Sequence, residues 1–409
     1  MSRFSRIDVV IATASAAHVV RLIASLTHHL VGFDLRIHLL LFGAGQRELS
    51  QQIPSHVKIF HRQSGYPDIA ANRNLCQRYL QEQMLQNNSL GLVLDDDLVW
   101  TLSGIDWATL LQRLQSVNAD MAFLGMAGDA PIPAEYTRAA PTLDVLLAIV
   151  QQRPHTASNQ LRVYCEQAQA CSLADSEHLH WHHDYYSYTL PGFRSAKLDL
   201  NQVRWPELVN HLYVGKKTTR SVNQLADIKP ATGRERGGAT LVLNPHVLDI
   251  SNTSMILNGW TSRRSDMLMA MEARKMGYQL FVTPQVVRHE REVCFDSFAP
   301  GKLLGDLLGY ALVEAGQQPF EQKIFHDHLS RRTMRTLWLV EQTYLQLGFL
   351  HEWLELQQLS SVAIDAAVNR LQAYNCQLVK QLQVFLLGIE RDQNVYKRGA
   401  AQAQGAFAQ

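Results

Sequence analysis

The sequence predicts an α/β fold in which a mostly parallel sheet is flanked by helices, with an irregular insertion and a C-terminal helical region. Apolar segments of strand length alternate with segments of helical periodicity as far as Gly125. This alternation is typical of parallel sheets, because each parallel connection crosses over through a helix. The pattern then loosens between about residues 128 and 236, which predicts the insertion, and it becomes purely helical beyond Gly301.

Each element follows from its local pattern. The first strand, Ile7–Ala12, is a nearly continuous apolar run, and the helix after it keeps apolar residues at helical spacing until Gly32. Gly277 caps the predicted helix Asp266–Met276, and Pro284 ends the strand 279–283. The other predicted strands are 35–42, 57–60, 92–94, 121–125 and 239–244, and the other predicted helices are 69–84, 105–117, 143–150, 303–308, 337–350, 354–371 and 378–389.

The chain is longer than one ordinary hydrophobic core requires, since it has 409 residues. We expect residues 1–298 to form the α/β domain, with residues 128–236 inserted into it. Residues 299–398 form the predicted C-terminal helical region. The Ala-, Gln- and Gly-rich residues 399–409 are expected to be disordered.

Composition argues against several classes of protein. Lys plus Arg number 38 against 37 for Asp plus Glu, and no long basic run occurs, so nonspecific nucleic-acid binding is not expected. No apolar run approaches the roughly 18 to 20 residues of a membrane span, so no transmembrane segment is expected. The five cysteines are scattered without a CxxC pair, which is typical of reduced thiols in a cytoplasmic protein. Peripheral membrane contact stays open.

Three adjacent acids, Asp95, Asp96 and Asp97, follow the apolar run Leu92-Val93-Leu94. Their carboxylates repel one another, and burying them without a partner would cost several kcal/mol. A divalent cation reverses this balance, so the cluster predicts a metal site in a cleft. The alternative is a solvated turn, although the apolar pattern resumes at once with Leu98.

Five groups of residues, the three acids among them, follow the ends of predicted strands or stand at the starts of predicted helices. Ligands of open parallel sheets bind at the carboxyl ends of the strands, so these groups are expected to meet. Together they offer oxygen and imidazole ligands for a metal, an arginine for a diphosphate and a spare carboxylate for proton transfer. The groups are Ala12-Thr13-Ala14, Asn72-Arg73-Asn74, Asp95 to Asp97, Ser265-Asp266 and His289.

The order of these motifs resembles that of glycosyltransferases with the A-type nucleotide-sugar fold, in the large family that includes bacterial sugar transferases. The likeness covers about residues 5 to 293, apart from the insertion, and implies a nucleotide-binding sheet. Asp95-Asp96-Asp97 matches the family's DxD region, Ala71-Asn72-Arg73-Asn74 its A-R-N helix start, Gly237-Gly238-Ala239 its glycine turn, Ser265-Asp266 its E-D pair and Val287-Arg288-His289 its closing V-x-H.

The resemblance implies metal-dependent transfer of a sugar from a nucleotide-diphosphate sugar to a glycan, protein or small-molecule acceptor. In this interpretation Asp95, Asp97 and His289 bind Mn²⁺ or Mg²⁺, which neutralises charge on the leaving diphosphate. Asp266 at its helix start accepts a proton from the acceptor, which favours inversion at the anomeric carbon, whereas the closing V-x-H pattern also occurs in retaining relatives. The expected donor-binding residues are Ala12, Thr13, Ala14, Arg73, Asn74, Asp95 and Asp96.

Two segments depart from the family pattern. Phe42-Gly43-Ala44-Gly45 follows the second strand, where the family has an acid and a D-G-S turn that hold the nucleotide base. Ser265 stands where the family has glutamate, so Asp266 is the one carboxylate of the pair. Base recognition by an acid of the second strand is therefore not implied for this chain.

Other functions stay open at the level of sequence. A metal-dependent phosphohydrolase also places acids after a strand, although it would carry a nucleophilic Asp where this chain has Ala12-Thr13-Ala14. A catalytically lapsed glycosyltransferase-like scaffold is a third possibility. The alternative for His289 is a structural histidine, and the His-, Tyr- and Trp-rich segment from His178 to Tyr188 suits zinc, sugar stacking or plain packing.

Overall fold

The computed structural model describes most of the chain with gaps. The predicted tail 399–409, the Phe42-Gly43-Ala44-Gly45 segment, Ala14, Gly237 and the aromatic segment after His178 lie outside the described residues. The described residues are 6–13, 16–41, 57–61, 69–129, 134–178, 194–195, 198–216, 220–221, 225–233, 235, 238–290, 300–316 and 321–391.

The strands of the described segments build one large sheet of nine strands and two short ribbons. The large sheet has the order β3-β2-β1-β4-β10-β6-β13-β5, and β9 pairs with β13. The strands are β1 Arg6–Thr13, β2 Asp34–Leu41, β3 Lys58–His61, β4 Leu90–Asp95, β5 Leu98–Trp100, β6 Met121–Gly128, β7 Arg194–Ser195, β8 Arg220–Ser221, β9 Lys229–Pro230, β10 Ala239–Val242, β11 Ile256–Leu257, β12 Trp260–Thr261 and β13 Leu280–His289.

Most strands of the large sheet run in one direction, as predicted. Strands β1 to β4 are mutually parallel along the sheet, and β6 and β13 share their direction, whereas β5, β9 and β10 run antiparallel to their neighbours. Thr13, Asp95, Gly128 and His289 are therefore the last residues of strands that point the same way. The mostly parallel α/β architecture is confirmed.

Ten α-helices lie in the described segments. None of them combines the length and the apolar composition needed to cross a membrane. The helices are α1 Ala16–His29, α2 Ile69–Asn87, α3 Gly104–Ser116, α4 Ala134–Gln152, α5 Asn159–His178, α6 Trp205–Val214, α7 Ser265–Lys275, α8 Gly301–Ala315, α9 Gln322–Leu356 and α10 Val362–Arg391.

Alternate residues of each strand point to opposite faces of the sheet. Both faces therefore carry apolar side chains, and helices cover both. Leu92 and Leu94 of β4 join the core beneath α1 and α3. Val93 joins the core beneath α2 and α7. The side chain of Asp95, which alternates with Leu94, therefore lies on the α2 and α7 face.

The insertion helices and the C-terminal helices share their apolar cores. Leu146 and Ile149 of α4 are buried in one cluster with Leu350 and Leu354 of α9. A hydrogen bond of 2.9 Å from the Trp353 indole to the Thr156 hydroxyl adds a polar contact across the same boundary. The predicted C-terminal helical region is present, and it packs against the insertion.

The structure corrects three element predictions. The insertion is more helical than its sequence pattern indicated, because α5 and α6 were not predicted and α4 begins at Ala134. Strand β13 continues past Pro284, where register shifts against β6 accommodate the missing N–H. The predicted helix 354–371 is wrong, because α9 ends at Leu356 and a separate helix, α10, begins after Ser361. Ser361 accepts hydrogen bonds from N–H groups in the first turn of α10.

A buried polar network fixes the amino end of β1. The carboxylate of Asp8 accepts hydrogen bonds from Arg6, His38 and Ser89, and the Tyr79 hydroxyl lies 3.2 Å from the other nitrogen of His38. Burial raises the pKa of Asp8, but the hydrogen bonds of His38, Arg6 and Ser89 outweigh it and lower the pKa to about 2. Asp8 is thus a structural residue of the strand, far along it from the acids.

Replacing Asp8 with asparagine is expected to lower the free energy of unfolding at pH 7 by about 3 kcal/mol, because Arg6 and His38 lose a buried anionic partner. The Asp8 carboxylate stabilises the fold at pH values above 3.8, its ordinary pKa. This stabilisation is lost as the pH falls through about 2, the pKa of Asp8 in the folded protein. Urea unfolding across this range should show wild type and variant converging toward acid.

Asp34→Asn is the matched control for this substitution. Its carboxylate pairs with Arg36 at 2.8 Å on the surface of the next strand, with 46% of the side chain exposed. We expect it to change stability by less than about 1 kcal/mol. If the difference in the free energy of unfolding between wild type and Asp8→Asn stays constant with pH, the assigned network is contradicted.

Candidate active site

The acids at the end of β4 lie against a glycine backbone. Asp95 donates its backbone N–H to the Gly238 carbonyl at 2.8 Å. A Cβ atom added to Gly238 would stand 2.5 Å from Oδ2 of Asp95, so a side chain there would displace the carboxylate. Position 238 therefore requires glycine for the acid to hold this position.

Arg73 links the acids to the start of α7. Its Nη1 lies 2.9 Å from Oδ2 of Asp266, and its Nη2 lies 3.9 Å from Oδ1 of Asp95. The sequence positions all three on different elements, since Arg73 is in the first turns of α2, Asp95 ends β4 and Asp266 opens α7. The predicted phosphate arginine, first acid and base are thus brought into one ion-paired group.

His289 lies against the third acid. Its Nε2 is 2.9 Å from Oδ2 of Asp97, and its Nδ1 is 2.8 Å from the backbone carbonyl of Asp129. A carbonyl only accepts, so Nδ1 carries a proton and Nε2 faces the carboxylate. This is also how metal-binding histidines are oriented, with Nδ1–H fixed by a carbonyl.

The second acid is held by the first strand. The hydroxyl of Thr13 donates a hydrogen bond to Oδ2 of Asp96, and the Thr13 side chain is buried. Ala12 pairs in register with Asp95 in the adjacent strand. The end of β1 therefore lies beside the acids, as predicted, while Ala14 lies outside the described residues.

The three acids differ in proton affinity. Desolvation, together with the charges of Asp97, Asp266 and Asp96, raises the pKa of Asp95 to about 7 against the opposing effect of Arg73, although 52% of its side chain is open to solvent. Desolvation also raises the pKa of Asp96. For Asp97 the hydrogen bond and charge of His289 outweigh desolvation and lower the pKa. Desolvation is thus the largest cause of the raised pKa of Asp95 and Asp96, and the neighbouring carboxylates add to it.

Asp266 gains its position from the first turn of α7, where the helix dipole favours an anion. The residue before this helix, Arg264, has φ +68°, a left-handed conformation that is uncommon outside glycine. Ser265 is buried beside it. Only 11% of the Asp266 side chain is exposed.

Asn74 has a different local role. Its amide exchanges hydrogen bonds with the backbone of Asn252, at 2.9 Å to the carbonyl and 2.6 Å from the N–H. These bonds attach the loop before β11 to α2. The predicted contact of Asn74 with a donor nucleotide stays a prediction.

A small cavity lies under the Arg73 and Asp266 pair. It measures about 30 Å³, room for about two water molecules, and Gln77, Thr240 and Asn252 add polar groups to its wall. Its apolar wall is formed by Val93, Met121, Phe123, Val242, Leu248 and Met269. The floor of the site is therefore largely apolar and lies between α2, α7 and the sheet.

Sequence reasoning missed two groups near the acids. His18, in the first turns of α1, contributes a charge that lowers the pKa of Asp96 and Asp97. Glu290 donates its N–H to the Asp97 carbonyl at 3.2 Å and pairs with Arg21 at 3.0 Å. A single histidine in an apolar helix and a charged residue after a strand give no periodic signal that could have identified them.

The residues fit a divalent cation in part. Asp97 and His289 converge, with Nε2 of the imidazole 2.9 Å from Oδ2 of the carboxylate, so together they offer one oxygen and one nitrogen ligand. Within the described segments, however, no three His, Cys, Asp or Glu side chains converge closely enough to form a complete ligand set. The carboxylate and imidazole donors suit Mn²⁺ or Mg²⁺ completed by substrate or solvent oxygens.

Comparison with known proteins gives structural matches at low similarity. No protein-family model matches the chain, and no curated protein matches it at a significant level. A crystal structure of S. aureus TarS residues 1–349 in complex with UDP matches at 10% identity and a TM-score of 0.36, covering 95% of this chain and 92% of that one. The same TarS segment without UDP matches at 9% identity and a TM-score of 0.36, covering 93% and 92%. The 4-diphosphocytidyl-2C-methyl-D-erythritol synthase of Anaerococcus prevotii matches at 11% identity and a TM-score of 0.22, covering 31% and 56%.

Proposed function

We propose that this chain transfers a sugar from a nucleotide-diphosphate sugar to an acceptor hydroxyl, with inversion at the anomeric carbon. One observation carries the proposal: the acid run that begins at Asp95, an arginine and a helix-start carboxylate meet at the carboxyl edge of a mostly parallel sheet. Open α/β sheets bind their ligands at this edge.

The donor diphosphate would lie beside Arg73. Its guanidinium has a fork of donors that suits phosphate oxygens, and it already lies between two carboxylates, Asp95 and Asp266. Thr13 and Ala12 border the same edge and would contact the nucleotide from β1. Among the described residues, Arg73 thus offers a cation to the donor, and the end of β1 offers backbone groups.

Asp97 and His289, with Asp95, are the residues that would hold the metal ion. When bound, the ion neutralises negative charge that develops on the diphosphate leaving group. The hydrogen bond from His289 Nδ1 to the Asp129 carbonyl fixes the ring so that Nε2 faces Asp97. The His289 ring and the Asp97 carboxylate are therefore oriented toward each other by the protein itself.

Asp266 would act as the base. Its carboxylate accepts the proton of the acceptor hydroxyl as the acceptor oxygen forms a bond to the anomeric carbon and the bond to the diphosphate breaks. The position on the first turn of α7 suits an anion, and the contact with Arg73 places it next to the donor phosphates. A nucleophilic acid, which a phosphohydrolase would need after β1, is replaced here by Thr13.

A ligand screen by thermal unfolding tests the proposal. UDP, GDP, CDP and ADP, and their glucose conjugates, would be added to the full chain with Mn²⁺, with Mg²⁺ or with EDTA. A ligand at 100 times its Kd stabilises the native state by about 3 kcal/mol, which raises Tm by several degrees. We expect at least one diphosphate to raise Tm only with a divalent ion.

The same sugar conjugate should then release its nucleoside diphosphate on incubation with the protein and an acceptor, or slowly with water. Arg73→Lys keeps a positive charge but loses the planar fork of donors, so the diphosphate should raise its Tm by less than it raises the Tm of the wild type. A chain that binds none of the diphosphates with any ion would refute the proposal.

A further inference from the structure

The first turn of α7 is held from outside the sheet domain, by helix α8. Arg264 precedes the helix in a left-handed conformation, and its carbonyl accepts hydrogen bonds from the N–H groups of Met267 and Leu268 at 3.1 and 3.2 Å. Its side chain does not cap the helix. Residues such as Ser, Asp or Asn, which cap by their side chains, are the usual choice at this position. The arginine therefore serves another contact.

That contact is a buried ion pair with α8. The Arg264 guanidinium donates a hydrogen bond to Asp306, whose side chain has no exposed surface, and Arg263 lies 3.4 Å from the other carboxylate oxygen. The Tyr310 ring lies one turn further along α8, with the guanidinium of Arg264 4.9 Å from its centre and that of Arg332 4.8 Å from it. The side chain of Arg264 is thus fixed by charge and by aromatic contact.

Two glycines let the backbone before α7 approach α8 closely. The Arg263 N–H donates to the Gly305 carbonyl at 2.8 Å. A Cβ atom on Gly309 would stand 1.9 Å from the Arg263 carbonyl oxygen, and one on Gly305 would stand 2.7 Å from that of Thr261. Helix α8 therefore sets the position of the segment that leads into Asp266.

We propose that Asp306 is a positioning residue that acts through Arg264 to hold Asp266 at the donor site. The inference rests on the proposed role of Asp266 as the base. It assigns the C-terminal helices a part in the reaction. Helix α8 fixes Arg264, and Arg264 fixes the first turn of α7. That turn presents the carboxylate of Asp266 beside Arg73.

The test compares Asp306→Asn with Glu314→Gln in the full chain. Glu314 lies on the same helix and pairs with Arg332 at 3.6 Å, so its substitution removes one ion pair of α8 and leaves the pair of Asp306 with Arg264 in place. We expect Asp306→Asn to raise amide exchange at Met267 and Leu268 by about 10-fold or more. We expect it to lower kcat for release of nucleoside diphosphate by about 10- to 100-fold. The Kd for the diphosphate should change less than about 3-fold, because Arg73 and the acids remain in place.

Two further variants keep the proposal falsifiable if Asp306→Asn folds poorly. The double substitution Arg264→Gln with Asp306→Asn removes both charges, so no unpaired ion is buried, and it should show the same exchange and kcat effects. Asp306→Glu should recover part of kcat.

The outcomes separate this proposal from the proposed function. If the wild type neither binds a diphosphate nor turns over a nucleotide sugar, the transferase role fails, and with it the catalytic meaning of the contact. If the wild type is active but Asp306→Asn or the folded double variant matches Glu314→Gln in exchange and kcat, the positioning role is overturned while the transferase role stands.

Discussion

Asp266→Asn is expected to lower kcat for sugar transfer by about 10²- to 10⁴-fold, the range for loss of a general base. An asparagine has nearly the same shape and still offers an oxygen to Arg73, which lies 2.9 Å from Oδ2 of the carboxylate. It cannot accept the acceptor's proton. The substitution should therefore remove the chemical step and leave the structure of the first turn intact.

The Kd of the donor diphosphate should change little in Asp266→Asn, because Arg73 and the acids of β4 remain in place. Steady-state release of nucleoside diphosphate gives kcat, and calorimetric titration gives the Kd. Glu272→Gln is the matched control, since Glu272 lies on the same helix and pairs with Lys275 at 3.5 Å. An Asp266→Asn protein as active as this control would exclude Asp266 as the base.

Asp97→Asn is expected to abolish the metal-dependent part of diphosphate binding, about 3 kcal/mol of ligand stabilisation at 100 times the wild-type Kd. The Asp97 carboxylate faces Nε2 of His289 at 2.9 Å, so the two side chains should act together. His289→Gln should reduce the same response. The double variant should be little worse than either single one, because residues that share one partner are not additive.

Asp129→Asn is the control for this pair. Asp129 contacts His289 through its backbone carbonyl, which the substitution keeps. Its Tm should therefore rise with diphosphate and Mn²⁺ as in the wild type. A response to Mn²⁺ that survives in Asp97→Asn would remove the third acid from the metal site.

The mostly parallel sheet could be predicted from sequence because its strands are continuous apolar runs. The predicted strand 35–42 is observed as Asp34–Leu41, and the predicted helix 105–117 as Gly104–Ser116. Helices α5 and α6 could not be predicted in the same way. Their apolar faces are covered by α9 and α10 from the far end of the chain, and α5 has weak helical periodicity. Packing between distant segments, rather than local pattern, stabilises them.

The candidate site could be predicted only as a set of residues at strand ends. The acid run and the end of β13 indicated that Asp97 and His289 would meet, and they do. The contact of Asp95 with Gly238 and the left-handed Arg264 depend on backbone conformation, which no residue pattern specifies. The ligand roles of these residues stay predictions until the substitutions are measured.

The shared core of the insertion and the C-terminal helices has a consequence for biosynthesis. Residues such as Leu146 and Ile149 leave the ribosome long before Leu350 and Leu354, the side chains that cover them. During that interval the nascent chain presents an apolar helical surface, the kind that chaperones bind and that aggregates when left uncovered. A transcript truncated after the sheet domain would leave that surface permanently bare, so quality-control proteolysis is the expected fate of its product.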